Sequence, residues 1–218
     1  MANKCLSKII SYSSVLAIIL STMLYSVFFA VSAAPAQIID PNPSVTTCGP
    51  EDNLIAGGDC ESFSSTADVT GFWRFSNFGS GDYGTLYIGA DVHSGSKAIK
   101  LPGGSGPPNC PSGLVPIQQN TDYTFSVWYK IINNGGANFL YNYRFYNGTA
   151  YTDPKTETSN EYFNMDGQWH QIAMTFNSGT AQSFAFRYWF SCTDGSYGIF
   201  DDACLFETPA SVPASIIK

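Results

Sequence analysis

Several stretches of the chain alternate apolar and polar residues with a period of two, the pattern of β-strands that keep one face in a core. In Tyr123–Lys130 the apolar side is Tyr123, Phe125, Val127 and Tyr129, and the other side is Thr124, Ser126, Trp128 and Lys130. In Ser183–Phe190, Phe184, Phe186, Tyr188 and Phe190 turn inward, and Ser183, Ala185, Arg187 and Trp189 turn outward. Each of these strands therefore sets an indole on its outer face. Ile172, Met174 and Phe176 alternate behind Trp169, and Ile99 and Leu101 do so after His93-Ser94-Gly95-Ser96. Turn signals at Asn133–Gly136, Asn147-Gly148 and Asp194-Gly195 separate the strands at spacings too short for helical crossovers. No segment long enough for an α-helix carries a clear 3.6-residue period. The predicted fold is all-β, an antiparallel β-sandwich.

Two features refine this picture. The segments Asn53–Glu61 and Gly198–Phe206 read as matched ends that close one sandwich. Phe139–Tyr146 is ambiguous, because either parity leaves polar groups inward or large rings outward. The reading adopted puts Tyr141 and Tyr143 on a ligand-facing surface, with core tyrosines as the alternative.

Residues 1–33 combine a weakly basic start (Lys4, Lys8), an apolar run from Val15 to Val31 and a small-residue exit at Val31-Ser32-Ala33, and are predicted to be a secretory signal peptide. The rival is a retained anchor, since Ile9–Val31 approaches the ~20 residues that span a bilayer; the serines at 11, 13, 14, 21 and 26 within that run weaken it. Cleavage would leave a secreted, extracellular or cell-wall-associated protein with no membrane contact. A Pro-rich linker over 34–52, a sandwich over 53–208 and a short tail over 209–218 complete the expected organisation.

Charge and cysteine content narrow the chemistry. The formal net charge is −7, and loss of Lys4 and Lys8 takes it to −9, with the remaining basic residues thinly spread. That excludes nucleic acid as an expected partner and favours a neutral ligand. With 12% charged and 15% aromatic residues, the composition resembles that of sugar-binding β-proteins. Cys48, Cys60, Cys110, Cys192 and Cys204 remain after Cys5 leaves, an odd number in an oxidising compartment. Their spacings do not match a zinc site. No Gly-x-Ser-x-Gly elbow or paired-carboxylate motif is present, so no enzyme activity is expected.

Taken in order, Asn53–Glu61, Gly71-Phe72-Trp73, His93–Leu101, Tyr123–Lys130, Trp169 with Phe176, and Phe200–Leu205 resemble the carbohydrate-binding modules of families four, nine and twenty-two, a jelly roll of the galactose-binding-like architecture. The resemblance covers residues 53 to 207. It implies binding of polysaccharide or glycan without cleavage, through aromatic stacking and hydrogen bonds in a cleft. Trp128, Trp189 and Arg187 meet that need from outer strand faces, and Asn147, Tyr151 and Trp73 fall at positions that contribute to or flank the cleft in such modules. Trp73 has core packing as its rival. The resemblance also implies a structural calcium held by Glu61 and Asp201 where first and last strands meet. The chain departs from the pattern at Cys60 and Cys204, which would lie close together; the pairings favoured are Cys60–Cys204 and Cys110–Cys192. Asn147-Gly148-Thr149 is a glycosylation sequon, and a glycan there would crowd a cleft containing Asn147. The alternative function is a structural or protein-interaction sandwich of the matrix or wall, cross-linked through the odd cysteine. The identity of the sugar and the oligomeric state stay open.

Overall fold

In the computed structural model, the alternating segments pair into two antiparallel sheets whose apolar faces meet. Residues 34–41, 52–73, 85–102, 109–135, 138–191 and 195–209 are described. The chain divides into two compact units, Met1–Ala34 and Pro35–Lys218, and every element below belongs to the second. The predicted signal peptide and all but the first residue of the predicted tail lie outside the described residues.

The strands are β1 (Gln37–Asp40), β2 (Thr85–Ile88), β3 (Lys97–Pro102), β4 (Asn109–Pro111), β5 (Val115–Pro116), β6 (Asp122–Ile132), β7 (Asn138–Tyr146), β8 (Lys155–Glu157), β9 (Glu161–Tyr162), β10 (Trp169–Asn177), β11 (Ser183–Ser191) and β12 (Tyr197–Glu207). The first sheet runs β1-β10-β6-β12-β3-β2; the second runs β4-β11-β7-β8, with β5 paired to β11 and β9 to β7. The segment read as a linker therefore contributes strand β1, which pairs with the edge of β10 at Gln37–Asn177 and Ile38–Phe176. Its alternation was too short to stand out beside the prolines that follow.

Aromatic rings fill the space between the sheets. Phe125 packs against Phe184 and Phe186 at 5.0 and 5.4 Å between centroids, and Phe176 stacks on Phe184 at 5.4 Å. Phe125, Phe176, Phe184 and Phe190 are essentially inaccessible. Tilted and edge-to-face pairs of this kind add to the burial term of large rings, so the inward faces of β6, β7, β10 and β11 select the sandwich.

The matched ends do meet, but not as two strands. Residues 53–61 form turns laid along β12, with Gly57 and Cys60 in the left-handed region at φ 66° and 63°. Asn53 clasps β12: its Oδ1 accepts from Leu205 N–H, and its Nδ2 donates to Ala203 O. Ala203 N–H donates to Gly58 O. A side chain at Gly58 would meet the Ala203 carbonyl at 2.0 Å, so only glycine allows this approach.

Candidate functional site

The two outward indoles lie on different sheets. On the second sheet, the register pairs Trp189 with Leu140, Arg187 with Asn142, Ala185 with Arg144 and Ser183 with Tyr146 across β11 and β7. Strand β8 continues the same face, pairing Arg144 with Glu157 and Tyr146 with Lys155. The Arg187 guanidinium lies over the Trp189 ring at 3.8 Å, a cation–π contact that fixes both side chains. Beside them, Glu157 Oε2 accepts from Arg144 Nε at 2.8 Å and lies 3.6 Å from Arg187 Nη1, while Lys155 Nζ is 3.0 Å from Oε1. Asn142 Nδ2 donates to Asn160 Oδ1 at 3.1 Å, and its Oδ1 is buried with no partner among the described residues.

The electrostatics follow from crowding. Burial, then the neighbouring Arg144, brings the Arg187 guanidinium down to about 10, which still leaves it charged at neutral pH. The Glu157 carboxyl is held below its usual range, because the hydrogen bonds and charges of Lys155 and Arg144 outweigh its burial. Tyr151 reaches from the β7–β8 loop to donate its hydroxyl to Ser112 O at 2.6 Å, and its ring meets Tyr146 edge-on at 5.9 Å. Trp189, Arg187 and Tyr151 thus belong to one face, with hydrogen-bonding groups between the aromatic elements.

The other expected residues are placed elsewhere. Trp128 lies on the outer side of the first sheet, between Gln171 and Asp201. The His93 ring stacks on it at 3.8 Å and 14°, and meets Trp169 at 5.5 Å. Trp73 is 1% exposed, and its Nε1 donates to Gly57 O at 2.7 Å, so it plugs the core and is out of a ligand's reach. Tyr141 and Tyr143 take the inward parity, which corrects the ligand-face reading. Tyr143 packs on Phe125 and Phe186, and Tyr141 on Phe163 and Phe186. The two tyrosines line an inter-sheet cavity of about 370 Å³ with Ile38, Thr158, Glu161 and Met174. Asn147 is exposed, and its Oδ1 accepts from Thr180 Oγ1 at 3.4 Å.

The disulfide Cys60–Cys204 does not form. Cys60 is a free thiol, fully buried, and burial together with Asp201 and Asp59 pushes its pKa far up, so it stays protonated and inert. Cys204 is disulfide-bonded, but not to Cys60. The turn at Cys60 and the shift in the β12 register between Asp201 and Cys204 are features that the strand reading missed. Cys192 and the side chain of Cys110 lie outside the described residues, and so does that pairing.

Glu61 and Asp201 act on one loop but do not fit calcium as they stand. The Glu61 carboxylate accepts from Ser96 N–H, Ser96 Oγ and Lys97 N–H at 2.8–2.9 Å, and these donors hold its pKa below the usual range. A side chain at Gly95 would strike that carboxylate at 2.4 Å. Lys97 Nζ donates to the carbonyls of Glu61 and Phe63, both at 2.7 Å, so an ammonium occupies oxygens that a cation would need. Asp201 Oδ2 accepts from His93 N–H and Ser94 N–H, and Oδ1 from Asp202 N–H. Burial, reinforced by Asp202, still pushes the Asp201 carboxyl up to about 7. Among the described residues, no group of three or more His, Cys, Asp or Glu side chains could hold a metal.

Arg144, Glu157, Asn142 and Lys155 are the functional candidates that sequence reasoning missed. The signal was present: with Phe139, Tyr141, Tyr143 and Phe145 inward, Leu140, Asn142, Arg144 and Tyr146 form an outward row.

Comparison with known proteins agrees with this fold. The chain resembles TmCBM61, solved with β-1,4-galactotriose, at 12% identity and TM-score 0.50, covering 72% of this chain and 99% of that one. It resembles the K3 cleaved adhesin domain of Lys-gingipain from Porphyromonas gingivalis W83 at 16% identity and TM-score 0.51, covering 68% and 95%. A third likeness, to the enzymatically active domain of tailspike protein 4 of bacteriophage CBA120, has 15% identity and TM-score 0.53, and covers 73% of this chain but 22% of that one. No curated protein matches the chain in sequence. The carbohydrate binding domain model CBM 4/9 matches residues 53–190, and the chain belongs to that family.

Proposed function

We propose that the protein is a secreted, non-catalytic module that binds polysaccharide or glycan across the outer face of the second sheet. The observation that carries this reading is the Arg187–Trp189 stack set beside Arg144, Asn142 and Glu157. A sugar offers C–H patches to an aromatic edge or face and hydroxyls to planar donors and acceptors, and this row supplies both. Tyr151 and Tyr146 bound one end of the row, and the 70%-exposed Tyr162, cross-strand from Leu140, stands at the other.

Trp128 has no part in this surface. It belongs to the opposite sheet, under His93. The alternative of a cross-linked interaction protein gains nothing from Cys60, whose thiol is enclosed. A glycan on Asn147 would stand at the loop that follows β7.

The test is retention of the secreted protein on insoluble cellulose, xylan, β-glucan, chitin and a pectate gel, with reducing-end release followed in parallel. Retention lost in Trp189→Ala but kept in Trp128→Ala supports the assigned face. Equal loss in both, or release of new reducing ends, overturns it.

A further inference from the structure

A neutral sugar needs only hydrogen-bonding partners, yet this face concentrates charge. Three positive side chains, Arg144, Arg187 and Lys155, turn on the single carboxylate of Glu157. Arg144 is the decisive residue. It is only 9% exposed, and among the described residues its sole ion pair and hydrogen bond run through Nε to Glu157. Among the described residues, the two terminal amino groups of its guanidinium have no hydrogen-bond partner. Glu157 has no capacity for them: one oxygen already receives Arg144 and Asn142 and faces Arg187, and the other faces Lys155.

Largely buried cations in excess of their counter-charge are costly, and the cost falls when an anion joins them. A guanidinium with its terminal amines unclaimed is built for a planar, two-oxygen partner. The chain around the patch is acidic, at −7 overall, so this charge is a local feature and not part of a basic surface.

We infer that the glycan bound on this face is acidic, a polymer bearing carboxylates on its sugar rings, with the Arg144 guanidinium receiving a uronate carboxylate. The inference rests on the glycan-binding reading above and corrects the expectation of a neutral ligand. The Trp189 and Tyr162 rings would meet the ring faces of neighbouring sugars, while Lys155 and Arg187 would balance the added charge against Glu157.

The experiment is calorimetric titration of the secreted protein with oligogalacturonate and with the same oligomer fully methyl-esterified, an exchange that removes charge and keeps the sugar. Alginate and glucuronoxylan fragments form parallel acidic arms; cello- and xylo-oligosaccharides form neutral ones. The expected result is at least tenfold tighter binding of an acidic oligomer than of its ester or neutral counterpart, with the preference abolished in Arg144→Gln and partly kept in Arg144→Lys. Unfolding midpoints of both variants separate lost binding from lost folding. Equal binding of acid and neutral forms, or binding of neutral oligomers alone, overturns the acidic ligand and leaves the glycan face standing. Binding of none of them, together with no retention on any polymer, overturns both.

Discussion

The outer faces of the two sheets carry the same device and use it differently. Each has a strand-borne indole with a nitrogenous group stacked 3.8 Å away, His93 over Trp128 on the first sheet and Arg187 over Trp189 on the second. His93 comes from a loop tied down at both ends. Asp201 and Asp202 hold His93 and Ser94, and Glu61 holds Ser96 and Lys97. Arg187 comes from the same strand as its indole, and its neighbours on β7 and β8 are polar and charged. The Trp128 indole is therefore taken up by an anchored loop, whereas the Trp189 indole is stacked by a residue of its own strand.

Four measurements would break or sharpen that contrast. The widest separation is expected between the two indoles. Trp189→Ala should weaken glycan binding by ~10–100-fold, the loss typical of an anchoring aromatic, with a stability cost no larger than that of Trp128→Ala. Trp128→Ala should leave affinity within about threefold while costing about 2–3 kcal/mol of stability, as partly buried large-to-small changes do. Titration and denaturant unfolding of both variants would show it; a reversed pattern would move the site to the first sheet.

Next comes the anchor of the His93 loop. Lys97→Met leaves two carbonyls without their ammonium and should cost about 1–3 kcal/mol by denaturant unfolding, the usual cost of stranding charge-assisted acceptors. Chelator should not lower the wild-type unfolding midpoint, and calcium should not raise it. A calcium-dependent rise would show that a metal displaces Lys97.

Asp201 predicts a pH dependence. Its folded pKa is raised, from 3.8 to about 7, so the folded state binds the proton more tightly than the unfolded state. Its contribution is complete below about pH 4 and is lost as pH rises through 7, on the order of 1–3 kcal/mol in all. Unfolding free energy measured between pH 4 and 8 should fall over that window for the wild type and flatten in Asp201→Asn. An unchanged slope in the variant would assign the effect to other groups.

The smallest effect is expected from Tyr151→Phe. It removes one hydrogen bond to Ser112 O at the end of the second face and should cost about 0.5–1.5 kcal/mol of stability, with affinity shifted by less than about threefold. A larger loss of binding would make the hydroxyl itself a ligand contact.

Strand parity made much of this legible. The inward rows of β6, β10 and β11, the outward Trp128, Trp189 and Arg187, and the joining of the two ends are all present in period-two spacing and matched motifs. Parity was misread at Phe139–Tyr146: the row Phe139, Tyr141, Tyr143 and Phe145 is wholly aromatic while the other holds Asn142 and Arg144, and the aromatic row packs inward on Phe125, Phe163 and Phe186. Parity failed at Cys60, where a left-handed turn replaced a strand and redirected the thiol into the core.

Sequence alone determined the all-β class, the faces of its clearest strands and the family, because side-chain alternation and turn residues are local properties. Tertiary structure decided that Trp128 and Trp189 lie on opposite sheets, that the Lys97 ammonium takes the Glu61 and Phe63 carbonyls, and that Arg144 and Lys155 share the carboxylate of Glu157. Those outcomes depend on strand order and on loops that close across tens of residues. Nothing in the local spacing of residues encodes them.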